Sequence, residues 1–313
     1  MATRSEVLSD IALLRQSLRR AGSPHLPLLK LEGWRPIMDI LVDVAAICAA
    51  LAVALHEPWT SSLALLVLGN RQRALGNILH DAAHRNLMRD QVLNDLVTWA
   101  LIAPLLFVSL PRYRDLHFRH HLDLGAKGAD PDLIPIPPMK ARSWVSAVAV
   151  NALSVRAVLG SAFGHLLDKG VPRRERLYVL AWWALLVAAL IAVTGAGAAL
   201  RMLALWLAAR CTVFHLITIV REMCDHHGLM PGGVFSFTRD LKATGLWSAL
   251  IHPRNNAYHL THHLLPAIPY YRLPDAQRLF ATLPEYQERA CVCEAYFSGP
   301  ERAVASWQQE PAR

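Results

Sequence analysis

Eight of the chain's fifteen histidines fall into three clusters: His80-Asp-Ala-Ala-His84, His117-Phe-Arg-His120-His121 and His259-Leu-Thr-His262-His263. On a helix, positions i, i+3 and i+4 share a face, so each cluster can aim its imidazoles at a common point. That is metal-ligand spacing. A single His-x-x-x-His pair arises by chance in many chains, but three clusters, two of them His-x-x-His-His, argue for a metal centre. Imidazole suits zinc, copper, iron and nickel, so ligand type does not choose the metal. Ligand number narrows the choice, because a catalytic zinc takes three protein ligands and a structural one four. Eight ligands in matched spacing imply two metals. The zinc-protease helix motif is excluded, since it needs Glu after the first histidine and Asp81 stands there. His25, His56, His165, His215 and His252 lack a partner at ligand spacing and read as core, interfacial or solvated residues.

The elements that position these clusters are apolar helices. Of 313 residues, 54% are hydrophobic and 18% charged, and the mean hydropathy is +0.26, which points to a membrane protein. Residues 38–55 and 177–194 are long enough to cross the hydrocarbon core. Residues 60–79 and 197–220 are of similar length but carry Arg71, Arg73, Arg201 and Arg210, charges that must snorkel or face protein. Short gaps pair these four segments into two hairpins. The hairpin turns carry no Lys or Arg, whereas the N-terminal segment, residues 111–176 and the tail after Val220 are rich in both. The positive-inside rule therefore puts those three basic regions in the cytosol.

A shared metal site requires all clusters on one side of the membrane. Residues 92–110 are apolar enough to cross, yet a single crossing would strand the second cluster, so they read as an interfacial or re-entrant helix. By the same parity, residues 144–167, interrupted by Asn151, Arg156 and His165, read as an amphipathic surface helix. The expected fold is all-α and integral to the membrane: four transmembrane helices in two hairpins with a cytosolic, histidine-rich helical cap. Strand signals are weak, and 130–138 (DPDLIPIPP) reads as an extended loop. Met1–Arg35 shows no cleaved signal peptide. The net charge of +8 fits contact with anionic lipid headgroups; no basic motif indicates nucleic acid. Five cysteines form no Cys-x-x-Cys pair, and Cys291-Val-Cys293 reads as incidental.

The order of the clusters around apolar helices resembles the membrane-bound fatty acid desaturases and their hydroxylase and ketolase relatives. Asp130-Pro131-Asp132 after the second cluster, and Tyr258 and Pro266 flanking the third, extend the resemblance. It covers roughly 38–285, giving a cytosolic N-terminal segment (1–35), a desaturase domain (36–285) and a C-terminal tail (286–313). The resemblance implies a non-haem centre of two iron ions with dioxygen as co-substrate, ligated by His80, His84, His117, His120, His121, His259, His262 and His263. That family also has a histidine after its last span in an acidic context followed by Gly, which matches His226 in Asp225-His226-His227-Gly228 and leaves His227 as the alternative. Asp225 is placed to fix the His226 tautomer, and Asn255 and Asn256 to hydrogen-bond ligands from behind.

The implied reaction removes two hydrogens from adjacent carbons of a fatty acyl chain or similar lipid. Met230-Pro-Gly-Gly233 lacks the histidine of a fused cytochrome motif, so the implied electron donor is a separate ferredoxin, flavodoxin or cytochrome. A lipid or carotenoid hydroxylase or ketolase would use the same ligands. A metal transporter is the remote alternative, disfavoured because the clusters sit at span ends rather than mid-membrane.

Overall fold

The structure is a computed structural model that describes residues 4–22, 25–133 and 143–308. Its helices are α1 (Arg4–Arg20), α2 (Trp34–His56), α3 (Ser61–Ala83), α4 (Gln91–Val97), α5 (Leu110–Leu122), α6 (Trp144–Ala152), α7 (Val155–Leu167), α8 (Arg173–Thr194), α9 (Ala196–Ala209) and α10 (His215–His226). Five short ones follow: α11 (Val234–Phe237), α12 (Leu246–Ile251), α13 (His259–Leu264), α14 (Leu273–Phe280) and α15 (Pro284–Arg289). The chain folds as two compact units, an apolar one (32–113 and 152–218) and a mixed one (1–31, 114–151 and 219–313).

Among the described residues, three helices are long and apolar enough to cross a membrane: Trp34–His56, Arg173–Thr194 and Ala196–His226. A fourth is counted only if the bent pair Trp144–Ala152 and Val155–Leu167 is one broken span. The surface helix expected over 144–167 is thus two helices, the second restarted by Ser154, whose hydroxyl accepts the Ala157 N–H. The expected second span is present as α3, but it is not apolar enough to be counted with the others. Its second half buries Asn70, Gln72, Arg73 and Asn77, and several of their polar atoms pair with protein groups. Arg73 Nη2 donates to Asn77 Oδ1 at 2.6 Å, and Gln72 donates to the Trp206 carbonyl at 3.0 Å. Asp43 of α2, fully buried, takes the Arg71 guanidinium at 2.8 Å. Gly69 allows α3 its closest approach to a π-helical turn, Arg210–Phe214, since a Cβ there would lie 2.5 Å from Val213 Cβ.

The segment expected to be re-entrant begins as α4, capped by Asp90 through the Val92 and Leu93 N–H groups. It loosens into a π-turn, Thr98–Ile102, before Pro104. Carbonyls near that break need donor partners away from water. Three aromatic residues of α8 provide them: Tyr178 donates to Trp99 O at 3.0 Å, Trp182 to Ala100 O at 2.9 Å and Trp183 to Pro104 O at 2.9 Å. Gly195, at φ +82°, makes the tight left-handed turn from α8 to α9.

The mixed unit packs α1, α11, α13, α14 and α15 around Leu14, Leu18, Phe235, Leu260, Ile268, Phe280 and Tyr286. It also contains the strands that weak sequence signals hid. β1 (Arg239–Leu241) pairs in parallel with β2 (Cys291–Cys293), with Asp240 opposite Val292. Cys291-Val-Cys293 is therefore a strand. Of the Pro-rich 130–138, residues 134–138 lie outside the described residues, and the described part begins with Asp130 turned back on Gly125 (2.8 Å).

Candidate metal centre

In the mixed unit the second and third clusters do not each aim at one point, as their spacing suggested; each divides. On α5, His117 and His121 place their Nε2 atoms 3.0 Å apart, while His120 turns its Nδ1 to Asp130 at 2.8 Å. On α13, His259 and His263 pair with Nε2 atoms 3.0 Å apart, and His262 instead brings Nε2 to 3.1 Å from that of His121. His226, closing α10, sets its Nε2 3.0 Å from His259 Nε2. Two groups result. His117, His121 and His262 form one; His120, His226, His259 and His263 form the other, and within each the candidate ligand atoms lie within 4.8 Å of one another.

The donor chemistry fits metal binding. His121 Nε2 faces both His117 and His262, and His259 Nε2 faces both His226 and His263. One ring nitrogen holds either a single hydrogen or a single lone pair, so it cannot make both contacts as hydrogen bonds. A shared cation satisfies all of them. With a metal–nitrogen distance of about 2.1 Å, ligands at right angles lie about 3.0 Å apart and tetrahedral ones about 3.4 Å. The observed 3.0–3.1 Å matches the right-angle case. Burial pushes His259, His262 and His263 well below the usual imidazole range, which keeps their lone pairs free of protons. Burial also lowers His117. For His120 burial acts in the same direction, but the Asp130 hydrogen bond and charge outweigh it, and the net shift is upward.

The groups that hold these rings differ partly from expectation. His226 Nδ1–H donates to the Phe237 carbonyl at 2.9 Å, and not to Asp225. Asp225 instead takes Arg221 at 2.6 Å and His252 Nε2–H at 3.2 Å, and lies 3.7 Å from His259 Nδ1. His252, read from sequence as a bland residue, is fully buried, and its other nitrogen accepts the Tyr296 hydroxyl at 2.9 Å. Asn255 donates to the Tyr270 carbonyl and Asn256 accepts from Arg221 at 3.3 Å, so neither amide rests on a histidine. His227 lies apart from both groups, its ring against Trp307; burial, reinforced by Arg239, lowers its pKa to about 4.

Asp240 was not singled out in the sequence. Fully buried on β1, it accepts the Thr261 N–H at 3.0 Å, the Thr261 hydroxyl at 2.5 Å and the Tyr286 hydroxyl at 2.5 Å. Thr261 sits between His259 and His262, so this carboxylate fixes the rotation of α13. Burial raises its pKa to about 6 against those hydrogen bonds, which oppose the rise. In the apolar unit, His80 and His84 close α3 with ring centroids 5.3 Å apart.

The family model for fatty acid desaturases matches residues 57–292, and the chain belongs to that family. It is 27% identical over 287 residues to dihydrorhizobitoxine desaturase of Bradyrhizobium elkanii, covering 84% of this chain and 80% of that protein. It is 23% identical to the endoplasmic-reticulum omega-3 fatty acid desaturase of Nicotiana tabacum, covering 79% of this chain and 72% of that one. The protein is a membrane-type desaturase family member with candidate membrane-spanning helices and a histidine-rich site able to bind metal.

Proposed function

We propose that this protein is a dioxygen-dependent di-iron desaturase that introduces a double bond into a fatty acyl chain or a related lipid-like substrate. The observation that carries the reading is the division of seven buried or half-buried histidines into two convergent groups within one unit, in a chain of the desaturase family. Two bound irons, reduced by an external donor, would supply the oxidising power that an unactivated C–H bond demands and no side chain has.

The residues of this chain then have separate tasks. His117, His121 and His262 hold one metal; His120, His226, His259 and His263 hold the other; His80 and His84 complete the set. Asp130 and the Phe237 carbonyl keep His120 and His226 bound through Nε2 by occupying Nδ1. Residues 36–285 form the catalytic domain, with both termini and the histidine-bearing segments cytosolic. A ferredoxin, flavodoxin or cytochrome delivers electrons. The names of both relatives favour desaturation over hydroxylation or ketolation.

The test is expression in a lipid-producing host, with iron counted per purified chain and products weighed. Two irons and a product two hydrogens lighter support the reading. A product one oxygen heavier would make the enzyme a hydroxylase, and stable metal binding without dioxygen-dependent turnover would overturn both.

A further inference from the structure

A buried cation in the apolar unit has no part in the metal centre. Arg210 opens the π-turn inside the candidate span Ala196–His226 and is 3% exposed. Its Nε donates to Ala162 O at 2.6 Å and its Nη2 to Leu106 O at 2.5 Å, but Nη1 has no partner among the described residues. No carboxylate pairs with it among those residues, and the full charge that acts on it is that of Arg73, of like sign. The two guanidiniums share one aromatic ring: Arg210 Cζ lies 4.4 Å and Arg73 Cζ 6.0 Å from the Phe214 centroid. The neighbouring His215 is engaged elsewhere, by Ser161 (2.6 Å) and Ala152 O (3.0 Å).

Main-chain carbonyls and aromatic faces stabilise a guanidinium without neutralising it, and a second cation beside it makes burial costlier. Ionisable groups inside a membrane protein face a partner, a cavity or a ligand. A π-turn at the cation is a further mark of a functional position. On α3, Arg73, Asn77, His80 and His84 recur at i, i+4, i+7 and i+11, one helix face, so Arg73 lies about 10 Å along the helix from His80. Polar residues buried along this face are what separates α3 from the apolar spans.

We infer that Arg210, with Arg73 across Phe214, binds the carboxylate of the substrate, so that the enzyme acts on a free acid held by its anionic end among the apolar-unit helices. Nε and Nη2 are already taken by carbonyls, so the open Nη1 supplies a single charge-assisted hydrogen bond to a carboxylate oxygen. The inference rests on the proposed desaturase reading for the word substrate, but the site itself can be tested without turnover.

The experiment is equilibrium binding of radiolabelled octanoate to the full chain in nanodiscs, corrected with empty nanodiscs, and competed by methyl octanoate or by chloride. The acid is expected to bind at least tenfold more tightly than the ester, with chloride ineffective at equal concentration. Arg210→Met is expected to abolish that discrimination at unchanged iron content, and Arg210→Lys to keep part of it. Equal affinity of the wild-type protein for acid and ester would overturn the inference even if Arg210→Met does not fold. So would discrimination that survives in a folded Arg210→Met, which would leave Arg210 as a staple between Ala162 and Leu106. Displacement by chloride would make this an inorganic-anion site and overturn the substrate assignment. Failure of the di-iron reading would show separately, as a wild-type chain that binds no iron.

Discussion

His226 and His227 are adjacent, yet only His226 has its Nε2 against another candidate ligand and its Nδ1 held by a main-chain carbonyl. His226→Ala is expected to lose iron and activity together, and His227→Ala to keep most of both; the measurement is iron per chain alongside product formation. Alanine at any of His80, His84, His117, His120, His121, His259, His262 or His263 is expected to abolish activity while membrane insertion persists. Full activity at equal expression in two of these variants would refute the di-iron reading.

Asp240 offers a pH signature at the same scale. Its carboxyl is raised from 3.8 to about 6 in the fold, so its protonated form is the one the folded protein favours. The associated stability is present below about pH 4 and is lost as pH rises through about 6, a change on the order of 3 kcal/mol at 1.4 kcal/mol per pH unit. Asp240→Asn is expected to remove that slope from the difference between wild-type and variant unfolding curves. It is also expected to lower iron occupancy, because its amide cannot accept both Thr261 hydrogens and the Tyr286 hydroxyl.

At the scale of elements, the contact between α3 and the Arg210–Phe214 turn depends on the missing side chain of Gly69. A methyl there would meet Val213 Cβ at 2.5 Å and the Phe214 nitrogen at 2.8 Å, with backbone on one side that cannot step aside. Gly69→Ala is therefore expected to destabilise the apolar unit by roughly 1–3 kcal/mol, the usual cost of overpacking. A lowered thermal midpoint is the measurement, with Gly160→Ala, where a Cβ meets nothing within 4 Å, as the control.

For the whole molecule, the charge asymmetry sets a topology test. Basic residues concentrate in the N-terminal segment, in 111–176 and after Val220, so both termini are expected in the cytosol. A reporter fused after Arg313 should be active there, and a cysteine introduced at Asp123 should resist labelling from the outer face. The opposite result in either assay would overturn this orientation.

The sequence by itself determined the three histidine clusters, the long apolar helices and the family, because each is a local or periodic property that needs no knowledge of neighbours. Phe237 has no signal as a hydrogen-bond acceptor for His226, since any residue carries a main-chain carbonyl. Asp240 looked like an ordinary charge until β1 laid it under Thr261. For α3 the sequence left its arginines to snorkel or to face protein, because hydropathy cannot tell a lipid-facing arginine from one buried against Asn77. Only the tertiary structure decided how the second and third clusters divide. Helix periodicity fixes which imidazoles share a face, but which of them meet depends on the angle and depth at which another helix arrives, set by packing between residues far apart in the chain.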